Sequence, residues 1–170
     1  ANADKHAKAR RMAQKVWGVA QPVTTHRYLS LKNVAPQSCD GIKEHRGELV
    51  IPVHDGEGKI WSLQFIKEDG SKRFLSGGKI SGNFAIIGLS LMKESQEIGL
   101  GEGFATCSTI FQEKNIPMIV CFNAGNLVHV GEIIKEEMPN KKFTIYADND
   151  ANNVGQDKAI KTAQKIDADV

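Results

Sequence analysis

The sequence predicts an α/β fold in which a parallel sheet flanked by helices follows a smaller α+β region with antiparallel strands. From about residue 96 onward, short apolar segments alternate with glycine-containing turns and amphipathic segments, which is the pattern of a parallel sheet covered by helices. Before that point, β-rich segments follow one another across short turns, as in an antiparallel sheet. We therefore expect an accessory region over residues 1–95 and the parallel-sheet domain over residues 96–170.

The accessory region is expected to begin with two helices. Apolar residues at helical spacing predict the first over residues 4–19. Thr25 is the expected cap of a second, short helix over residues 26–33. Residues 35–47 contain proline and glycine and are expected to form a loop.

Four short strands are expected to complete the accessory region. Residues 48–54 and 59–66 are rich in β-forming side chains and flank the turn sequence of residues 55–58, which predicts a hairpin. Residues 72–75 and 83–88 have the same character. Short connections between these segments favour antiparallel pairing.

Strands and helices alternate regularly in the remainder of the chain. Apolar strands are predicted at residues 97–101, 117–122 and 143–147. The helices that follow them are predicted at residues 104–114, 127–137 and 154–166.

The composition is that of a globular protein. Of the 170 residues, 41% are hydrophobic and 25% are charged, which argues against disorder. No apolar segment approaches the roughly 20 residues of a membrane span, so no membrane partner is expected. The three cysteines are far apart and form no CxxC pair, which argues against a disulfide framework or a zinc ribbon. Reduced thiols favour a cytoplasmic protein.

Positive charge is concentrated near the N-terminal end of the sequence. Residues 1–46 carry nine Lys and Arg against three Asp and Glu, whereas residues 47–170 carry thirteen against seventeen. This distribution suits an anionic partner, and it suits solvated helix faces almost as well.

Acidic residues follow two of the predicted parallel strands. Ligands of open parallel sheets bind beyond the carboxyl ends of the strands, where this sequence places Glu102, Asp148 and Asp150. Residues two apart in extended chain point to the same side, so the Asp pair forms a hard-oxygen site that suits Mg²⁺ or Mn²⁺. Glu102 is a candidate third ligand or acid–base group. Gly101 and Gly103 allow a tight turn and the approach of a phosphate.

Other residues near these strand ends have structural interpretations beside the functional one. The Asp pair also suits an ordinary turn. Asn123 and Asn126 are candidates for lining the site, although Asn126 suits an N-cap as well. The histidines share no metal-ligand spacing.

Basic residues in the accessory region are candidates for holding phosphates. Lys72, Arg73 and Lys79 suit that role, and they suit a solvated strand edge equally. A second basic group on the first helix has the same two interpretations, with plain surface favoured over phosphate binding: Lys8, Arg10, Arg11 and Lys15. Trp17 and Trp61 are expected in the core rather than as platforms for base stacking.

The sequence resembles the Toprim domain of plasmid- and phage-type DNA primases, together with the segment that precedes it in those proteins. The resemblance covers roughly residues 20–165. It is carried by these segments: THRYLSLKNV (25–34), LVIPVHDGEGKIWSLQFI (49–66), KRFLSGG (72–78), GEGFATCSTIF (101–111), IVCFNAGNL (119–127) and IYADND (145–150).

The resemblance implies a metal-dependent enzyme that makes or breaks phosphodiester bonds. Glu102 matches the lone glutamate of the family, and Asp148 with Asp150 matches its DxD pair. In a primase these carboxylates would hold Mg²⁺, or Mn²⁺, against a nucleoside triphosphate on a single-stranded DNA template. Upstream basic residues would hold phosphates of the template or nucleotide. A helicase or another replication protein is a further expected partner.

Two departures from the family pattern accompany this resemblance. Many relatives carry Asp where this chain has Asn123, and the cysteines that would form a zinc module are missing. Residues 167–170 suit the beginning of a strand that a complete Toprim sheet would contain, so we expect the domain to be truncated at its C-terminus.

Three alternative functions are weighed against primer synthesis. The first is a Toprim nuclease or topoisomerase fragment, although neither Tyr28 nor Tyr146 lies in the setting of a topoisomerase nucleophile. The second is a non-catalytic module that binds nucleic acid or a replication partner. The third is a small-molecule α/β enzyme, against which the sequence contains neither a GxGxxG nor a Walker motif.

Overall fold

The computed structural model describes residues 1–36, 41–147 and 154–170. The chain divides into two compact units, Ala1–Ala85 and Ile86–Val170. The predicted class is confirmed, since one sheet is antiparallel and the other contains parallel strands connected by helices.

The first unit is built on a five-stranded antiparallel sheet with the strand order β1-β2-β3-β4-β5. Its helices are α1 (Asn2–Val19) and α2 (Arg27–Leu31). Its strands are β1 (Gln21–Pro22), β2 (Lys43–His45), β3 (Glu48–His54), β4 (Ile60–Ile66) and β5 (Lys72–Phe74).

The core of the first unit lies between α1 and this sheet. Ala13 of α1 packs with Val50, Leu63 and Phe65, and all four side chains are buried. Trp17 is partly buried against the same group. The helical spacing of apolar residues therefore does mark the face of α1 that packs on the sheet.

Three details differ from the sequence prediction for the accessory region. The strand expected over residues 83–88 is shorter, Ala85–Ile87, and belongs to the other sheet rather than to the antiparallel one. The N-cap of α2 is His26, not Thr25, because the His26 Nδ1 atom accepts a hydrogen bond from the Tyr28 amide at 3.2 Å. Its Nε2 atom lies 2.9 Å from the Gly47 carbonyl oxygen, so this histidine ties the helix to a turn of the sheet. The expected loop over residues 35–47 also contains β2, which is held by pairing with β3.

The turn between β3 and β4 is fixed by the side chain of Asp55. Its Oδ1 atom accepts hydrogen bonds from the amides of Glu57 and Lys59 at 2.9 and 3.0 Å, and its Oδ2 atom accepts one from the Trp61 indole nitrogen at 3.0 Å. Burial alone would raise the pKa of Asp55, but these hydrogen bonds outweigh it and hold the pKa below its usual value.

Replacing Asp55 by Asn is expected to lower the free energy of unfolding at neutral pH. Because the folded-state pKa lies below the unfolded one, the stability that the carboxylate contributes is present above the unfolded pKa of about 3.9 and is lost as the pH falls through the folded-state pKa. Urea unfolding at pH 7 and at pH 3 measures the difference in the free energy of unfolding between Asp55→Asn and the unmodified chain. This difference should be smaller at pH 3. Asp167→Asn, at an exposed position, is the control. A stability difference for Asp55→Asn that is the same at both pH values would contradict the stabilising role of the Asp55 carboxylate.

The second unit contains a four-stranded sheet with the strand order β6-β8-β7-β9. Its strands are β6 (Ala85–Ile87), β7 (Glu97–Gly101), β8 (Met118–Val120) and β9 (Lys142–Tyr146). Its helices are α3 (Phe104–Lys114), α4 (Ala124–Glu137) and α5 (Val154–Ile166). The strand β7 runs parallel to both of its neighbours, β8 and β9.

The chain order places a topological switch point at the carboxyl end of β7. The connection through α3 leads to β8 on one side of β7, and the connection through α4 leads to β9 on the other side. Right-handed crossovers in opposite directions put α3 on one face of the sheet and α4 on the other. Open sheets of this kind bind ligands at the switch point.

None of the helices in the described part of the chain has the length and apolar character that crossing a membrane requires.

Candidate metal and nucleotide site

Glu102 directly follows β7 at the switch point, and the backbone there is fastened to the end of β8. The Cys121 amide donates to the Gly101 carbonyl oxygen at 2.8 Å, and the Phe122 amide donates to the Glu102 carbonyl oxygen at 2.7 Å. These two bonds hold the ends of β7 and β8 side by side. Glu102 therefore leaves the sheet from a fixed position.

Phe122 adopts a left-handed backbone conformation, with a φ of 75°. In this conformation the Cβ atom of a bulky residue is sterically strained, whereas glycine has no Cβ atom and avoids that strain. Such strain clusters at functional sites, and here it lies next to Glu102. No sequence pattern would have indicated it, because phenylalanine has no preference for this conformation.

Asn123 and Asn126 connect the end of β8 to the first turn of α4. The Asn123 Oδ1 atom accepts a hydrogen bond from the Asn126 amide at 2.8 Å, so Asn123 is the N-cap. Asn126 is buried, and its Nδ2 atom donates to the Cys121 carbonyl oxygen at 2.9 Å. The expectation that Asn126 caps the helix is therefore wrong, and α4 begins three residues earlier than predicted because the capping residue is Asn123.

The glycines on either side of Glu102 have different surroundings. A Cβ atom on Gly101 would lie 2.7 Å from the Cys107 sulfur, so close packing of α3 on β7 requires glycine there. A Cβ atom on Gly103 would meet no described heavy atom within 4 Å. Glycine at position 103 is therefore not required by packing, and it leaves the backbone at the start of α3 accessible.

Two buried thiols lie close to this strand end. The Cys107 and Cys121 sulfurs are 3.8 and 3.9 Å from the Ile119 carbonyl oxygen. Burial raises the pKa of Cys121 well above its usual range, and the neighbouring Cys107 and Glu102 raise it further. The thiol of Cys121 therefore stays protonated and is not a nucleophile.

The strand that leads to the predicted Asp pair lies next to β7. In the parallel register of these strands, Gly101 is opposite Tyr146. Asp148 and Asp150 themselves lie outside the described residues. The register shows that the chain leaves β9 beside the strand end that carries Glu102.

A complete metal site is not defined by the described part of the chain. Across residues 1–36, 41–147 and 154–170, no group of three or more His, Cys, Asp or Glu side chains is placed to hold a metal ion. Glu102 supplies a hard oxygen donor, which suits Mg²⁺ or Mn²⁺. The ligand set of Glu102, Asp148 and Asp150 stays a prediction.

The basic residues predicted to hold phosphates all lie in the first unit, but they do not form one group. Lys72 lies 5.7 Å from the centre of the Tyr28 ring. Arg73 pairs with Glu48 at 3.1 Å and lies over the Phe65 ring at 4.1 Å. Lys79 lies 5.4 Å from the centre of the Trp61 ring. Their binding role stays a prediction.

Residues 97–170 match the Toprim domain family. This part of the chain is a Toprim domain. The predicted family is confirmed, and metal binding is typical of such domains. The predicted boundary of the domain after residue 95 stays a prediction.

The chain is similar to two curated relatives, both DNA primase TraC proteins from Escherichia coli, and this similarity extends beyond the Toprim domain. Each is 30% identical, over 142 and 147 residues, which cover 74% and 82% of this chain. Because residues 97–170 are less than half of the chain, these alignments include much of the preceding unit. The chain spans 13% and 10% of the lengths of these relatives.

Solved primase structures share the fold of the Toprim domain and of the unit before it. The primase fragment of the bacteriophage T7 primase-helicase protein has a TM-score of 0.61 at 18% identity, covering 86% of this chain and 66% of that chain. The DnaG primase catalytic domain bound to ssDNA has a TM-score of 0.61 at 10% identity, and the match covers 95% of this chain and 68% of that chain. At these identities the likeness shows the fold.

Proposed function

We propose that this chain is the catalytic segment of a DNA primase that joins nucleoside triphosphates into short RNA primers on single-stranded DNA. The observation that carries this proposal is the extent of the similarity to the TraC primases, which includes the unit before the Toprim domain as well as the domain itself. A Toprim nuclease or topoisomerase would be expected to resemble these primases in the Toprim domain alone, and not in the unit before it. The two primase folds likewise cover most of the chain.

The proposed site lies at the carboxyl ends of β7 and β9. Glu102, Asp148 and Asp150 would hold Mg²⁺ or Mn²⁺, which supplies charge stabilisation for the transferring phosphoryl group when it is bound. The hydrogen bonds from Cys121 and Phe122 keep the Glu102 backbone in place. Such preorganisation lets a site act without rearranging during the reaction. Gly103 leaves room for phosphate oxygens beside the start of α3.

The partners of this segment belong to the same proposal. Single-stranded DNA and nucleoside triphosphates are the substrates, and the basic residues Lys72, Arg73 and Lys79 hold their phosphates. A helicase or another replication protein is the expected macromolecular partner. We propose a cytoplasmic location because the template and the nucleotides are found there.

The test combines cation binding with product analysis. Titration of Mn²⁺, followed by electron paramagnetic resonance, is expected to show binding that weakens at least about tenfold when Asp148→Asn is combined with Asp150→Asn, because both hard-oxygen ligands are lost. Labelled nucleotides on a single-stranded template should yield short RNA products.

The control for the cation titration is Asp167→Asn, which removes a carboxylate outside the proposed ligand set. Equal Mn²⁺ affinity in the double variant would contradict the metal assignment. Degradation of the DNA without RNA products would favour a nuclease instead.

A further inference from the structure

Three cationic side chains surround one indole ring in the first unit. The Arg10 guanidinium carbon lies 5.2 Å from the centre of the Trp61 ring, and the Lys59 and Lys79 ammonium nitrogens lie at 5.1 and 5.4 Å. They come from α1, from the turn before β4 and from the segment after β5. We call Arg10, Lys59, Trp61 and Lys79 the Trp61 cation cluster.

Positive charge in the Trp61 cation cluster is incompletely balanced. Within the described ranges, none of its three cations forms an ion pair with a carboxylate. The acidic group that touches the cluster is Asp55, and its oxygens already accept hydrogen bonds from the Trp61 indole and from two amides of the turn. Asp55 therefore orients the ring, and its single negative charge is outnumbered by the three cations around it.

Arg10 also has a hydrogen-bond donor without a partner in the described part of the chain. Its Nε atom is buried and has no acceptor among the described residues. A buried donor without a partner costs free energy, and an arginine is well suited to donate to phosphate oxygens. A phosphate beside the Arg10 guanidinium would reduce the repulsion among the three cations.

The basic surface continues beyond the cluster along α1. The side chain of Lys5 runs against Gly77, where a Cβ atom would lie 3.1 Å from the Lys5 Cγ atom. Lys5 thus lies beside the segment that carries Lys79. An extended row of cations matches a strand with successive phosphates better than it matches one isolated anion.

We propose that the Trp61 cation cluster binds phosphates of the single-stranded DNA template. This inference rests on the proposed function. It assigns template contacts to Arg10, for which the sequence favoured plain surface over phosphate binding, and to Lys59, which the sequence did not single out. The cations cover the indole, so a base does not stack on it without displacing them. The contact is therefore with the backbone, and the binding is independent of base sequence.

The test is equilibrium binding of a fluorescent single-stranded oligodeoxynucleotide, measured by anisotropy across a range of salt concentrations. Each lost phosphate contact on a single strand reduces the slope of log affinity against log salt by about 0.7. Lys59→Gln and Arg10→Gln should each show this reduction, with a loss of affinity of about fivefold at 0.1 M salt. The change should be the same for oligonucleotides of different sequence.

A matched control is available on the other unit. Lys135 lies 5.4 Å from the centre of the Phe143 ring, so Lys135→Gln also removes a lysine from an aromatic face and should leave the slope unchanged. Lys59 is exposed on a turn, so its variant tests the proposal even where Arg10→Gln unfolds the chain. An unchanged slope in Lys59→Gln would overturn the proposal.

A second arm distinguishes the source of the phosphate. A nucleoside triphosphate without divalent cation is titrated against the same variants. Weaker triphosphate binding in Lys59→Gln, together with an unchanged DNA slope, would assign the cluster to the nucleotide and overturn the template proposal. Because the DNA measurement contains neither divalent cation nor nucleotide, its result is independent of whether the chain synthesises primers.

Discussion

Replacing Glu102 by Gln is expected to reduce primer synthesis by about 100- to 1000-fold, the range found when one electrostatic contact to a reacting centre is removed. The substitution keeps the size of the side chain but removes its charge and one hard-oxygen donor for a cation. The backbone hydrogen bond from Phe122 does not involve the side chain. The loss should therefore appear in kcat while the unfolding transition stays in place.

The control for this substitution is Glu113→Gln, which makes the same chemical change at an exposed position on α3. It should keep full activity. The apparent Mn²⁺ affinity during synthesis should fall in Glu102→Gln and not in the control. If Glu102→Gln retained the activity of the unmodified chain, the glutamate would have no part in the reaction.

Replacing Gly101 by Ala is expected to lower the free energy of unfolding by about 1–3 kcal/mol, the usual cost of forcing an extra methyl group into a packed core. The new Cβ atom would lie 2.7 Å from the sulfur of Cys107, which is fully buried and cannot move aside freely. Urea unfolding followed by circular dichroism measures the change.

Gly103→Ala is the matched comparison, two residues further along the chain. Its Cβ atom meets no described atom within 4 Å, so the expected cost is only about 0.5 kcal/mol, from replacing glycine by alanine at the N-cap of α3. Equal losses at the two positions would show that the contact with Cys107 does not explain the requirement for glycine.

The sequence predicted the parallel sheet well because its central strands, β7 and β8, are buried on both faces and read as short apolar segments. The segment of β7 and the helix α3 have the predicted bounds, 97–101 and 104–114. Capping was predicted poorly. His26 and Asn123 cap their helices in place of Thr25 and Asn126, because the cap depends on where the backbone leaves the extended conformation.

The grouping of basic residues could not be predicted from their spacing. Lys72 and Arg73 are neighbours on a strand, so their side chains point to opposite faces, and they contact Tyr28 and Phe65 respectively. Arg10 and Lys59 come together only because α1 packs on β4. Contacts between distant segments of this kind require the tertiary fold.

The pairing of β7 with β9 also determines when the proposed site is formed during folding. Gly101 and Tyr146 are opposite each other although they are far apart in the chain, and such distant pairings form slowly because the intervening loop must close first. No hairpin or helix in the described part of the chain contains both strand ends. In the proposed ligand set, Glu102 joins Asp148 and Asp150 only once β9 has paired with β7, so the complete site would form late in folding.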